Sequence, residues 1–235
     1  MEISQFDSDR LWSHYQNQAR DSFDSSYSRL QFLAKRCPRA SNVLNIGVGS
    51  GYLEALLIRG GVNVYSLDPS DLTVKRLNEE LGMGSRAMQG YCHAIPFPDE
   101  FFDCVIMTEV LEHIPKETIG ASLSEVWRVL KAKNGRFIGT VPFREVLRDN
   151  EVYCPSCHIQ FHRWGHLHSF DVSTLGGLLE QSGFTVDKLY PRTFPDFSRP
   201  GVRLFLRAVF RYVLGRIGEP LVAPNLYFSV RPCEK

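Results

Sequence analysis

Apolar residues recur at spacings of three and four through Leu11, Tyr15, Ala19, Phe23, Tyr27, Leu30 and Leu33, which predicts one or two amphipathic helices over 11–36, ending before Pro38. From Ser41 the period changes. VLNIG reads as a short buried strand, GSGYLEALLIRGG as a helix closed by glycines, and VNVYSLD as a second strand with Pro69 after it. DLTVKRLNEELG continues as a helix, SRAMQG as a weak third strand, FDCVIMTEV as a strong fourth, IGASLSEVWRVLKAKNG as a helix and RFIGTVPF as a fifth strand. Such alternation predicts a parallel sheet covered by helices on both faces. After Pro142 it lapses for about thirty residues, longer than ordinary connections between sheet elements. DVSTLGGLLEQSG then resumes as a helix with Asp171 as N-cap and Gly183 at its end, FTVDKLY follows as a strand, and NLYFSVRP is a final strand. The chain thus divides into a helical cap (1–40), a strand-helix core (41–142), a long loop (143–170) and a C-terminal part of the same domain (171–235).

Composition narrows the class without redirecting it. The 235 residues carry 27 − 26 = +1 formal charge, 43% are hydrophobic and 23% charged, so one folded domain is expected and disordered or fibrous classes are excluded. A near-neutral surface predicts no DNA partner. MEISQFDSDRLW lacks a basic region followed by an apolar stretch, and charges or turn residues interrupt every apolar run before bilayer-spanning length, so a cytoplasmic protein is expected. Of six cysteines, Cys37, Cys92, Cys104 and Cys233 are scattered and read as reduced packing thiols.

VLNIGVGSG places Gly47, Gly49 and Gly51 between a strand and a helix, where absent side chains let backbone approach a ligand. Asp68 closes the next strand, at the distance where a carboxylate accepts hydrogen bonds from a ribose diol. Together they predict a nucleoside-containing cofactor. The spacing G-x-G-x-G differs from the G-x-G-x-x-G of dinucleotide-binding loops.

With VLNIGVGSGYL, VYSLDPS, AIPFPDEFFDCVIMTEVLEHI and EVWRVLKAKNGRFIGTVPF, the chain resembles the class I S-adenosylmethionine-dependent methyltransferases over most of residues 41–190. The resemblance implies a Rossmann-like, doubly wound, mostly parallel α/β sheet of seven strands, with NLYFSVRP inserted antiparallel, a helical cap before it and an insertion after strand five. It also implies that Gly47, Gly49 and Gly51 line the methionine and ribose portion, that Asp68 holds the ribose hydroxyls, that backbone near Cys92 and His93 meets adenine, and that Glu109 lies under the cofactor. Two positions depart from the family: Asn45 stands where an acidic residue is usual, and Tyr91 where many relatives have Asp. Asn45 still offers a hydrogen bond to the cofactor's amino group, and Tyr91 exchanges a polar contact for stacking. These departures leave a non-catalytic, cofactor-binding adaptor as the alternative to an enzyme.

NEVYCPSCHIQFHRWGHLHSF concentrates thiols and imidazoles. Its C-x-x-C and H-x-x-x-H spacings predict a structural zinc clip of Cys154, Cys157, His162 and His166, with His158 or His168 as substitutes. A second metal reading uses Glu109, Glu112 and His113 of EVLEH with His166. It is similar to the E-x-x-E-H run that binds a divalent cation in ubiquinone-pathway O-methyltransferases and small-RNA 2′-O-methyltransferases, which keeps an RNA 2′-hydroxyl acceptor open. For a hydroxyl acceptor, His113, His166 and Glu109 are the candidate general bases. Arg203, Arg207 and Arg211 border an apolar face within 202–216, which reads as a surface helix or a contact with anionic lipid. The expected function is O-methylation of a small-molecule, glycan or lipid-linked acceptor.

Overall fold

In the strand Asn42–Ile46 (β1), successive side chains enter opposite layers: Val43 joins one buried cluster while Leu44 and Ile46 join the other. The strand Cys104–Thr108 (β4) alternates likewise, with Cys104 and Ile106 on one side and Val105 and Met107 on the other. Both strands are buried on two faces, as their unbroken apolar runs predict. The computed structural model describes residues 5–39, 41–156, 158–194, 210 and 225–233.

The remaining strands are Asn63–Asp68 (β2), Ala87–Gln89 (β3), Arg136–Pro142 (β5), Glu151–Tyr153 (β6), Gln160–His162 (β7), Phe184–Arg192 (β8) and Asn225–Pro232 (β9). Seven of them form one sheet in the order β3-β2-β1-β4-β5-β9-β8. Within it β9 runs antiparallel to both neighbours, and the pairs β3-β2-β1-β4-β5 are parallel. The antiparallel insertion of NLYFSVRP is therefore observed.

Helices Tyr27–Ala34 (α2), Tyr52–Arg59 (α3) and Asp71–Leu81 (α4) cover one face through Leu33, Leu53, Leu57 and Leu77. Helices Lys116–Val129 (α5) and Val172–Gln181 (α6) cover the other through Leu123, Val126, Leu175 and Leu179. Capping follows the sequence where the caps are polar. Asp171 Oδ1 accepts from Thr174 N at 2.8 Å and Thr174 Oγ1 accepts from Asp171 N at 2.8 Å, closing a reciprocal cap on α6. Helix α5 starts at Lys116, a turn before the expected Ile119, because Pro115 takes the N-cap position without a polar side chain to mark it.

Two other regions carry elements that the pattern did not specify. The N-terminal periodic stretch is broken into Gln5–Asn17 (α1), a 3₁₀ segment Arg20–Ser26 and α2. The loop after Pro142 contains an antiparallel hairpin, β6 with β7, whose three-residue strands are too short to show an alternating pattern. Among the described residues no helix is long and apolar enough to cross a membrane. The arginine-bordered stretch 202–216 lies outside the described residues except for Phe210.

Candidate active site

From β1 the chain passes outward to β2 and β3 on one side, while β4 and β5 lie on the other, so the order reverses between β1 and β4. Ligands in open α/β sheets bind beyond the strand ends at such a reversal. There the protein has a cleft of about 450 Å³, lined among others by Gly47, Gly49, Asp68, Glu109, His113 and His166.

Gly47 has φ of +81°, and a Cβ on it would lie 2.6 Å from Val110 Cγ2, so the turn after β1 requires glycine twice over. Arg76 of α4 donates to Gly49 O at 3.0 Å and Ser50 O at 2.9 Å, clamping the loop from behind. Asp68 is buried and joins three segments: Oδ2 accepts from Val48 N and from Gln16 Nε2, each at 2.9 Å, and Oδ1 accepts from Ser70 N at 2.9 Å. Burial pushes its carboxyl up, against the pull of these donors. Oδ1 keeps acceptor capacity for a further hydroxyl.

Cys92 and His93 also line the cleft. The segment that carries them is pinned by Arg128, which donates to Ile95 O at 2.8 Å and Phe97 O at 2.9 Å and pairs with Glu125 and Asp99. Replacing Arg128 by Ala strands both carbonyls, and we expect a loss of about 1–2 kcal/mol. Faster amide exchange over 92–99 in hydrogen-exchange mass spectrometry, with unchanged exchange in α6, is the expected readout. Tyr91 donates to Asp9 Oδ2 at 2.6 Å, so the departure at that position ties α1 to the cleft, and the bond pushes the phenol up to about 12.

Asn45 and Gly51 fall outside the cleft wall. Asn45 is buried and donates to Glu54 Oε1 at 2.7 Å, turning away from the cofactor side because β1 alternates and this residue faces α3. Gly51 takes the left-handed N-cap of α3 at φ +84°, with Leu77 and Arg76 as its neighbours.

Glu109 lines the cleft with its carboxylate engaged by neighbouring groups. It sits at φ +56°, directly after β4, and its carboxylate accepts from Thr140 Oγ1 at 2.8 Å and from Asn225 Nδ2 at 3.1 Å. Arg29 lies 3.6 Å away. Glu109 thereby braces β5, β9 and α2 around the cleft floor.

The imidazoles form a separate constellation. Glu112 O accepts from Leu167 N at 2.7 Å and from His168 N at 3.2 Å, and these bonds draw the 162–168 loop onto the EVLEH turn. As a result one ligand atom each from Glu112, His113 and His166 lie within 4.8 Å of one another. A second group, Glu145 with His162 and His166, meets the same condition. Among the described residues neither group includes Cys154. Cys157 lies outside the described residues.

Hydrogen bonds assign the tautomers. His113 Nδ1 faces the carbonyl of Gly165 at 3.1 Å, which only accepts, so Nδ1 carries the proton and Nε2 keeps its lone pair. His166 Nδ1 bonds to the carboxylate of Glu145, leaving its Nε2 as a lone pair as well. His162 is reversed: Nδ1 accepts from Trp164 N at 3.3 Å and His166 N at 3.0 Å, so Nε2 bears the proton and approaches Glu145 Oε1 at 3.4 Å. Among the described residues His162 thus meets Glu145 and His166 rather than Cys154 of the expected Cys/His clip.

Glu112 is fully buried, and both of its carboxylate oxygens lack a hydrogen-bond partner, as does His113 Nε2. Burial, then repulsion from Glu109, drives the Glu112 carboxyl well above its ordinary range. Burial, then the neighbouring His166, drives His113 down to about 3. Burial pushes Glu145 up, but the His166 bond and the nearby imidazoles outweigh it and hold it below its ordinary range. Glu145 was not singled out by sequence pattern. Nor were Arg29, Gln16 and Trp12, which line the cleft.

Residues 11–189 match the family profile described as a methyltransferase domain. An uncharacterized methyltransferase of Geobacillus sp. strain WCH70 is 24% identical over 187 residues, covering 74% of this chain and 87% of that protein. The ubiquinone biosynthesis O-methyltransferase of Xylella fastidiosa is 29% identical over 121 residues, covering 48% of this chain and 47% of that enzyme. Among solved structures, Burkholderia thailandensis 1,6-didemethyltoxoflavin-N1-methyltransferase, with its substrate and S-adenosylhomocysteine bound, shares the fold at TM-score 0.66 and 17% identity, covering 97% of this chain and 87% of that one. Glycine loop, strand-end acid, inserted antiparallel strand and family match agree: the chain belongs to the methyltransferase domain family and is a class I S-adenosylmethionine-dependent enzyme.

Proposed function

We propose that the protein transfers the methyl group of S-adenosylmethionine to a hydroxyl oxygen of a ring-bearing small molecule. The observation that carries this reading is the convergence of Glu112, His113 and His166 beside the cofactor cleft, with both carboxylate oxygens of Glu112 and Nε2 of His113 lacking a hydrogen-bond partner. Oxygen acceptors need a proton removed, and such a wall serves that need. An amine acceptor that arrives neutral does not.

The acceptor oxygen attacks the methyl carbon as the carbon–sulfur bond breaks, its electron pair returning to sulfur to leave the neutral thioether. Alignment and exclusion of water supply most of the acceleration. Trp12, whose ring centroid is 4.7 Å from that of His113, and Trp164 give the acceptor chamber flat apolar walls. The hydroxyl proton leaves toward the lone pair of His166 Nε2.

The same three residues fit a divalent cation. Two imidazole lone pairs and one carboxylate, each backed by a second hydrogen-bonding group or buried, match a two-histidine, one-carboxylate site, and the unpartnered buried oxygens of Glu112 are the independent sign. A cation bound there supplies Lewis-acid polarisation of the acceptor hydroxyl. The name of the Xylella relative is consistent with oxygen as the acceptor atom.

The test is methyl transfer from tritiated S-adenosylmethionine to a panel of phenols, catechols, glycosides and amines, with EDTA and with added Mn²⁺. Labelled ethers, lost on chelation and restored by Mn²⁺, are expected. Label appearing only on nitrogen or sulfur would overturn the proposed acceptor, and ether formation indifferent to chelation would leave His166 as the base and remove the cation.

A further inference from the structure

We infer that Glu145 is a positioning residue for the reaction: its carboxylate fixes the tautomer of His166 so that Nε2 faces the cleft as a lone pair. The inference rests on the proposed role of the His113 and His166 lone pairs, and it assigns a function to a residue outside the cleft wall.

Glu145 lies three positions beyond the end of β5, at the same sheet end as Asp68 and Glu109. Its approach is set by Arg144, at φ +51°, whose N–H donates to Phe170 O at 2.8 Å. The carboxylate then meets two hydrogen-bonding side chains and lies near a third imidazole nitrogen. Asn150 Nδ2 donates to Oε1 at 2.9 Å, His166 Nδ1 bonds to Oε2, and His162 Nε2 stands 3.4 Å from Oε1. His162 is itself locked by two backbone N–H groups, so it acts as a fixed prop on the far side of Glu145. The rings of His162 and His166 stack at 4.5 Å, which limits rotation of the second imidazole.

A carboxylate that only accepts admits one tautomer of His166, with hydrogen on Nδ1. A carboxamide admits both, because its NH₂ can donate to Nδ1 and drive the proton to Nε2. In that state the cleft-facing nitrogen is a donor and is lost both as a base and as a ligand. Carboxylate partners of this kind raise the basicity of the imidazole they orient, and their loss costs about 10- to 100-fold in metal affinity or activity.

The experiment records ¹⁵N–¹H correlation spectra of histidine side chains in full-length, chelator-treated protein, native and Glu145→Gln, with Glu145→Asp as the conservative variant. The native protein is expected to show His113 and His166 protonated on Nδ1 and His162 on Nε2. In Glu145→Gln the His166 pattern is expected to move toward Nε2–H and methyl transfer to fall about 10- to 100-fold, with S-adenosylhomocysteine affinity unchanged. Glu145→Asp is expected to restore the native tautomer in part. A native tautomer at His166 in Glu145→Gln overturns the inference, and so does full activity. Because the spectra need neither cation nor acceptor, failure of the oxygen-acceptor reading leaves this result readable on its own.

Discussion

Replacing Glu112 by Gln is expected to raise the melting temperature of the cation-free protein at pH 8 and to abolish its response to divalent cations. The native carboxyl is fully buried without a partner, so its ionised form is carried at a cost in the folded state. Its folded pKa lies above the unfolded value, near 4.5, so the folded state holds the proton more tightly. Stability from this group is therefore complete below about pH 4.5 and is lost as pH rises through the folded value. The advantage of the variant should grow with pH, reaching about 1–3 kcal/mol, or several degrees in a domain of this size. Saturating Mn²⁺ should raise the melting temperature of the native protein and leave that of the variant where it was. Differential scanning fluorimetry across pH 5–8, with and without Mn²⁺, measures both effects. A variant that melts lower at pH 8 and still gains from Mn²⁺ would count against the site.

Replacing Gly47 by Ala is expected to lower affinity for S-adenosylhomocysteine by at least about 100-fold, or roughly 2.7 kcal/mol. Two costs coincide at this residue. A side chain at φ +81° is strained, and the new Cβ meets Val110 Cγ2 at 2.6 Å, so the loop must shift where it faces the cofactor. Gly82→Ala separates the two. That residue has φ of +60° with nothing within 4 Å of an added Cβ and caps α4 away from the cleft, so its replacement should lower the melting temperature but leave calorimetric affinity intact. Equal loss of affinity in both variants would assign the effect to general destabilisation.

Where side chains repeat along one element, the fold was legible. The unbroken apolar runs of β1 and β4 and the polar cap of α6 are local signals, and the parallel sheet followed from repeated strand-helix-strand units, the antiparallel last strand from the resemblance to a seven-stranded family. Gly47, Gly49, Asp68 and Glu109 could be placed near one another because each follows a strand end at one edge of the sheet. Spacing failed where long-range backbone bonds decide the outcome. His166 joins His113 because Leu167 and His168 bond to the carbonyl of Glu112, a contact that no local pattern encodes. His162 and His166 share helical spacing but meet through a turn, in which His162 spends its Nδ1 on backbone N–H groups. Glu145 carries one local signal, a carboxylate just past the end of β5, but its partner His166 lies 21 residues on, beyond any local spacing.

Glu112, His113 and His166 are proposed as a cation site beside the cofactor. Its most direct test is calorimetric titration of Mn²⁺ into chelator-stripped protein saturated with S-adenosylhomocysteine, repeated on Glu112→Gln and Cys154→Ser. One saturable site per chain is expected, lost in Glu112→Gln and retained in Cys154→Ser. No saturable binding to the native protein, or binding that survives Glu112→Gln and disappears with Cys154, would contradict it.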